Sequence, residues 1–197
     1  TKTLHFDQLL EVLKVPDTSY HSALGRAIAM IERRLVRVDQ FYAYLQQFNN
    51  RDMAQLLRVP AITKVTSGHN TCSNTRYPMH MIKSADVFTT LIGRLEPTDA
   101  LDISMCRSDS ETLLHHATSL IPSRGHNPTQ VLLQRLPCCC EAEELVNRLN
   151  DAGMTAHSMA IQNKNETAAK AIEIWKTYAR LVSICGQAID PATGEFP

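Results

Sequence analysis

The feature that most restricts this chain is a seam of apolar residues at Leu24, Ile28, Ile31, Leu35, Val38, Tyr42 and Leu45, spaced alternately by four and three. A period of 3.5 holds one stripe of an α-helix against a neighbour. The seam predicts one continuous helix over residues 20–48, capped by Thr18 or Ser19 and roughly 40 Å long. Ile28, Ile31, Leu35 and Val38 are expected on its buried face. Other helical segments flank it. Leu4, Phe6, Leu9, Leu10 and Leu13 recur at helical spacing before Pro16, residues 52–59 form a short helix stopped by Pro60, and Ser84 caps a helix carrying Val87, Phe88, Leu91, Ile92 and Leu95.

Beyond residue 98 the rhythm changes. Leu101, Ile103 and Met105 alternate as in a strand, and Ser108-Asp109-Ser110-Glu111 reads as a capping box before Leu113, Leu114, Ala117, Leu120 and Ile121. Residues 131–136 read as a buried strand, 140–150 as a helix closed by Gly153, and 154–161 as a third strand. Asn163 or Asn165 then caps a long helix bearing Ile172, Trp175, Tyr178, Ala179, Val182 and Cys185. The expected fold class is helix-rich α+β or mixed α/β. A helical region with one long helix fills residues 1–98, and a small three-stranded βαβαβα-like layer fills residues 99–197. The short Glu96-Pro97-Thr98-Asp99 junction lets the two share one core.

A candidate repeat is weaker. Leu13-Lys14-Val15-Pro16, Leu57-Arg58-Val59-Pro60 and, more loosely, Gln134-Arg135-Leu136-Pro137 resemble one another, but their flanks do not align. A basic residue near the negative end of a helix, followed by Pro, is an ordinary helix ending.

Charge removes the global argument for a polyanionic partner, since Lys plus Arg and Asp plus Glu both total 20. Arg26, Arg33, Arg34 and Arg37 line the outer side of the long helix, but no stacking aromatics alternate with them, so they read as a solvated face. No apolar run approaches the roughly 18 residues of a membrane span, and no basic-then-apolar leader precedes the first amphipathic segment. A cytoplasmic protein without membrane insertion is therefore expected. The six cysteines, three of them contiguous at Cys138, Cys139 and Cys140, read as thiols in a reducing compartment, the triplet as small buried hydrophobes.

Motifs that announce chemistry do not occur. There is no Cys-x-x-Cys or His-x-x-x-His pair, no Gly-x-Ser-x-Gly elbow and no cluster of glycines to cradle a phosphate. No catalytic residue, metal or cofactor is assigned on this basis. Two candidate surfaces are left. Phe41, Tyr42, Tyr44 and Phe48 crowd four aromatic rings onto more than one face of the predicted long helix, wider than a single neighbour covers. Phe41, Tyr44 and Phe48 are accordingly expected to meet a protein partner, or a second copy of the chain, as aromatic anchors do. The alternative is a small-ligand or hydrolytic site in the polar 65–78 segment, using His69, Asn70, Arg76 and His80, with His115-His116 nearby. The preferred expectation is a non-enzymatic interaction subunit, an adaptor or chaperone-like component of a larger assembly. A ligand-binding or hydrolytic enzyme domain comes second and a regulatory nucleic-acid binder third.

Overall fold

The computed structural model describes residues 23–67, 70–108, 111–122 and 127–187. Four successive units stack along it. The first holds α1 (Ala23–Glu32), α2 (Val38–Leu45) and α3 (Asn50–Arg58), followed by the antiparallel hairpin β1 (Ala61–Ser67) and β2 (Asn70–Arg76). The second opens with a 3-10 helix, Pro78–Met81, and continues through α4 (Ala85–Gly93) and α5 (Pro97–Met105) to the short hairpin β3 (Arg107–Ser108) and β4 (Glu111–Thr112). The third contains α6 (Leu113–Ser119), α7 (Pro128–Arg135) and α8 (Cys140–Asn147), and a single bridge between Leu149 and Thr155 stands where the hairpin would be. The fourth contains α9 (Ala156–Gln162) and α10 (Glu166–Gln187).

Like elements of successive units pack side by side, giving three rows. The first row runs α1, the 3-10 helix, α6, α9, and a second runs α3, α5, α8. In the third row α4 packs on α7 and α7 on α10. Its first member, α2, is tied to α4 by a hydrogen bond from the Thr90 hydroxyl to the Tyr42 oxygen and by Arg94, which donates to the carbonyls of Leu45 and Phe48 at 2.7 and 2.6 Å. Arg135 repeats that device one unit later, donating to the Gly93 carbonyl at 2.6 Å. Each guanidinium thus bonds carbonyls at or just beyond the negative end of a helix in the preceding unit. One apolar cluster runs through all four units from Leu24 to Ala179.

The expected three-stranded C-terminal layer is absent from the described residues. Residues 101–105 lie in α5, 131–135 in α7 and 156–161 in α9. Signals at the helix starts outweigh the apparent strand rhythm. Pro97 and Pro128 stand in the first turns of α5 and α7, where a missing N–H costs nothing. The side chain of Asn127 accepts from the N–H groups of Thr129 and Gln130, and that of Thr155 accepts from Ser158. Leu101 and Met105, which mimic alternation, are one helical turn apart.

The single long helix is also corrected. After Glu32 the chain turns, because Arg34 adopts a left-handed conformation with φ 57°. Its N–H reaches the Ile31 carbonyl and that of Leu35 reaches the Met30 carbonyl, at 2.7 and 2.9 Å, which closes α1 in a Schellman motif. Ile28 and Ile31 are buried as the seam predicts, but Leu35 is only partly buried and Val38 is exposed. The first-row helix of the last unit ends identically. Lys164, φ 56°, donates to Ile161, and Asn165 donates to Ala160. Glycine adopts this backbone without the Cβ clash that Arg and Lys suffer. Lys164→Gly and Arg34→Gly are each expected to stabilise the fold by about 0.5–1 kcal/mol, read as a raised urea midpoint with unchanged slope.

Two instances of the Arg-Val/Leu-Pro pattern fall within the described residues, and they end helices of different rows, α3 and α7. Leu13-Lys14-Val15-Pro16 lies outside the described residues, as does the rest of the amphipathic segment before it.

Candidate binding groove

α10 is 22 residues long, whereas α7 and α9, on which it packs, have 8 and 7. Ala168, Ile172, Trp175 and Ala179 turn into the core, and from residue 180 to 184 no side chain is buried. A second stripe faces sideways across α7, where a groove of about 670 Å³ opens between the two helices. Leu133, Leu136, Ala171, Ile174, Trp175 and Tyr178 supply its apolar lining. Ile174 is 61% exposed and Tyr178 57%. Leu181 and Val182 continue the stripe beyond the groove at 55% and 37%. Sequence reading placed Trp175, Tyr178 and Val182 on a buried helix face, and burial holds only for the first of them.

The predicted aromatic surface is largely internal. Phe41 is 0% exposed and Tyr44 4%. Because the chain turns at Arg34, α2 is a separate short helix, packed against α1 and bonded to α4. Two directions of cover replace the single neighbour assumed from the seam, so neither ring is open to a partner. Burial pushes the Tyr44 phenol above its ordinary pKa, with Arg26 opposing. Phe48 is partly buried, edge-on to Tyr44 at 5.0 Å between ring centres. The arginine face also dissolves, since Arg33, Arg34 and Arg37 lie at the break between α1 and α2, where Arg37 pairs with Asp39 at 3.0 Å.

The polar segment read as a ligand loop is mostly the second strand of a hairpin. Asn70 stands opposite Ser67 and Arg76 opposite Ala61 in the register, while His69 lies outside the described residues. His80 is not part of that segment's surface. It sits in the 3-10 helix with its ring centre 5.8 Å from that of His116 and both ring nitrogens enclosed without a hydrogen bond of good geometry. Burial, then the neighbouring His116, lowers the His80 pKa to about 3, and the Glu111 carbonyl offsets this in part. Burial likewise lowers His116, whose Nε2 lies 2.7 Å from the Ile82 carbonyl. The structure therefore brings His80 and His116 together, both half-buried between units, with the ring nitrogens of His80 withdrawn from solvent. His115 turns elsewhere: Nδ1 is 2.8 Å from the Thr112 hydroxyl and Nε2 is 3.0 Å from the Met154 carbonyl.

Among the described residues no group of three or more His, Cys, Asp or Glu side chains could hold a metal ion. Cys106, Cys138, Cys139 and Cys140 are free thiols. Cys138 and Cys140 are exposed, which corrects the expectation of a buried triplet. Glu141, 3.2 Å from the Cys140 sulfur, raises that thiol's pKa and disfavours a nucleophilic thiolate. No described helix is long and apolar enough to cross a membrane.

One recurrent signal went unread in the sequence. Tyr77-Pro78-Met79-His80, Thr112-Leu113-Leu114-His115 and Thr155-Ala156-His157-Ser158 begin units two, three and four. In units two and three the fourth residue directs its ring at the carbonyl immediately before the next unit's first residue, Glu111 for His80 and Met154 for His115. No protein-family model matches the chain, and neither a curated protein nor a solved structure does so.

Proposed function

We propose that the chain is a protein-binding module, a short helical-repeat stack that serves as an adaptor or scaffold in a larger assembly. The observation that carries this reading is the apolar stripe on α10, open beside α7 and extending past the body of the stack. Contiguous apolar surface of this kind is a common mark of an interaction site. Stacked units support the same reading, because each one contacts its neighbours and leaves extended faces for a partner. The β-hairpin before the Thr112-Leu113-Leu114-His115 start of unit three resembles an ankyrin-type repeat, although unit two begins with Tyr77, unit four has Ser158 in the place of the His, and a third helix in units one to three and starts at 77, 112 and 155 depart from that pattern's 33-residue step. A cytoplasmic setting fits the exposed thiols at Cys138 and Cys140.

Affinity capture of the full chain from its source cells, followed by light-scattering mass measurement of what elutes, tests the reading. A stoichiometric protein complex is expected. A lone monomer that turns over a small molecule would contradict it.

A further inference from the structure

We infer that the groove between α7 and α10 receives an amphipathic helix of a protein partner, and that this helix presents an acidic side chain to Lys170. The inference rests on the protein-binding reading and adds the chemistry of the occupant. Shape comes first. The stripe on α10 runs from Thr167 through Ile174 and Tyr178 to Val182, which is about 22 Å of helix, the length of roughly four turns. A helix laid in a groove reads such a stripe with side chains at i, i+3, i+4 and i+7. Its apolar face would cover Ile174, Tyr178 and Leu181, three side chains more than half exposed in the chain alone.

Charge selects among helices. Among the described residues, Lys170 is the one charged residue in the groove lining, and none of that lining is acidic. Lys170 makes no ion pair among the described residues and stands at one edge of the apolar stripe. An acidic residue at the margin of an incoming apolar face would pair with it in surroundings shielded by Ile174 and Tyr178, whereas a basic residue there would meet a like charge.

The test titrates the full chain into two dye-labelled synthetic helical peptides of sixteen residues, each with a Leu and Ala apolar face, and reads binding as fluorescence anisotropy, because Trp175 lines the groove but is already buried. One carries Glu along one margin of that face and the other carries Lys. The Glu peptide is expected to bind at least ten-fold tighter than the Lys peptide. Ile174→Asp should abolish the binding, and Lys170→Glu should reverse the preference. Equal affinity for the two peptides, or no binding of either, overturns the proposal. So does a mass that doubles with concentration and reverts in Ile174→Asp, which assigns the groove to a second copy. Binding of both peptides that appears only in Leu9→Asp or Leu10→Asp would assign the groove to the chain's own segment around those residues and overturn the proposal equally. If the chain captures a partner that Ile174→Asp retains, the protein-binding reading stands and this groove is rejected as its site.

Discussion

His115→Ala is expected to lower the stability of the folded chain by about 3 kcal/mol, among the largest effects of any single substitution at a polar position. The imidazole is 0% exposed and joins the third unit to the fourth. Nδ1 lies within hydrogen-bond distance of the Thr112 hydroxyl and backbone N–H, and Nε2 faces the Met154 carbonyl at 3.0 Å. Only the neutral ring with its proton on Nε2 serves both sides, accepting from Thr112 and donating to Met154. Truncation leaves a void and strips partners from groups withdrawn from water; an unpaired buried group costs about 1–3 kcal/mol, and a cavity adds to that. Thr112→Val, which removes one partner and keeps the volume, should cost about 1 kcal/mol. Urea unfolding of the three proteins checks the pair of values. A loss below 1 kcal/mol for His115→Ala would show that the joint between units does not depend on this ring.

Acid should weaken the fold through a second imidazole, that of His80, whose ring nitrogens are withdrawn from solvent. In the unfolded chain His80 takes a proton near pH 6.5, whereas its enclosed ring in the fold resists protonation down to about pH 3. Between those values the unfolded state binds more protons, so stability falls as pH falls. The contribution of the neutral ring is complete above about pH 6.5 and is progressively lost toward pH 3. His116, lowered for the same reason, acts in the same direction. A difference of about 2 kcal/mol between pH 7 and pH 4.5 is expected from His80, since each unit of separation is worth about 1.4 kcal/mol at full effect. His80→Phe should flatten the dependence over that interval. An equal slope in both proteins would place the acid sensitivity elsewhere.

Much of the helical content was legible, for identifiable reasons. Ser84 caps α4 through its hydroxyl and the Val87 N–H, and Asn165 accepts from Ala168 at the start of α10, both as read from residue type and position. Boundaries moved slightly where several caps competed: the capping box read at Ser108 lies one short hairpin early, and Thr112 is the N-cap of α6. What failed was the period test on short buried helices. α5, α7 and α9 have only 9, 8 and 7 residues, and each is packed by neighbours in more than one row. Apolar residues then fall on several faces, and 3.6-residue periodicity has too few turns to emerge. The seam from Leu24 to Leu45 failed oppositely, by being too regular. Nothing in its spacing records that Arg34 takes a left-handed turn, because that cap is usually announced by glycine.

The candidate site was legible only in part. Ile172, Trp175, Tyr178 and Val182 were assigned to one helix, but which of them stay open depends on α10 outrunning α7 and α9, a fact of tertiary packing. The aromatic cluster misled for a related reason, since a surplus of rings on a short helix is absorbed when separate neighbours cover it from α1 and α4. The shared x-x-His spacing after Tyr77 and Thr112 was present throughout, and its meaning lay in imidazoles aimed at the carbonyl before the following unit, which spacing alone does not reveal.

Amide hydrogen exchange of the full chain, alone and saturated with the protein it captures, tests the central claim most directly. Alone, the amides of residues 180–184, on the stretch of α10 with no buried side chain, should exchange well before those of residues 168–179. In the complex they should slow at least ten-fold, together with the groove-facing turns of α7. Slowing confined to the hairpins or to the α1–α3 end of the stack, with residues 180–184 exchanging as in the free chain, would contradict the account.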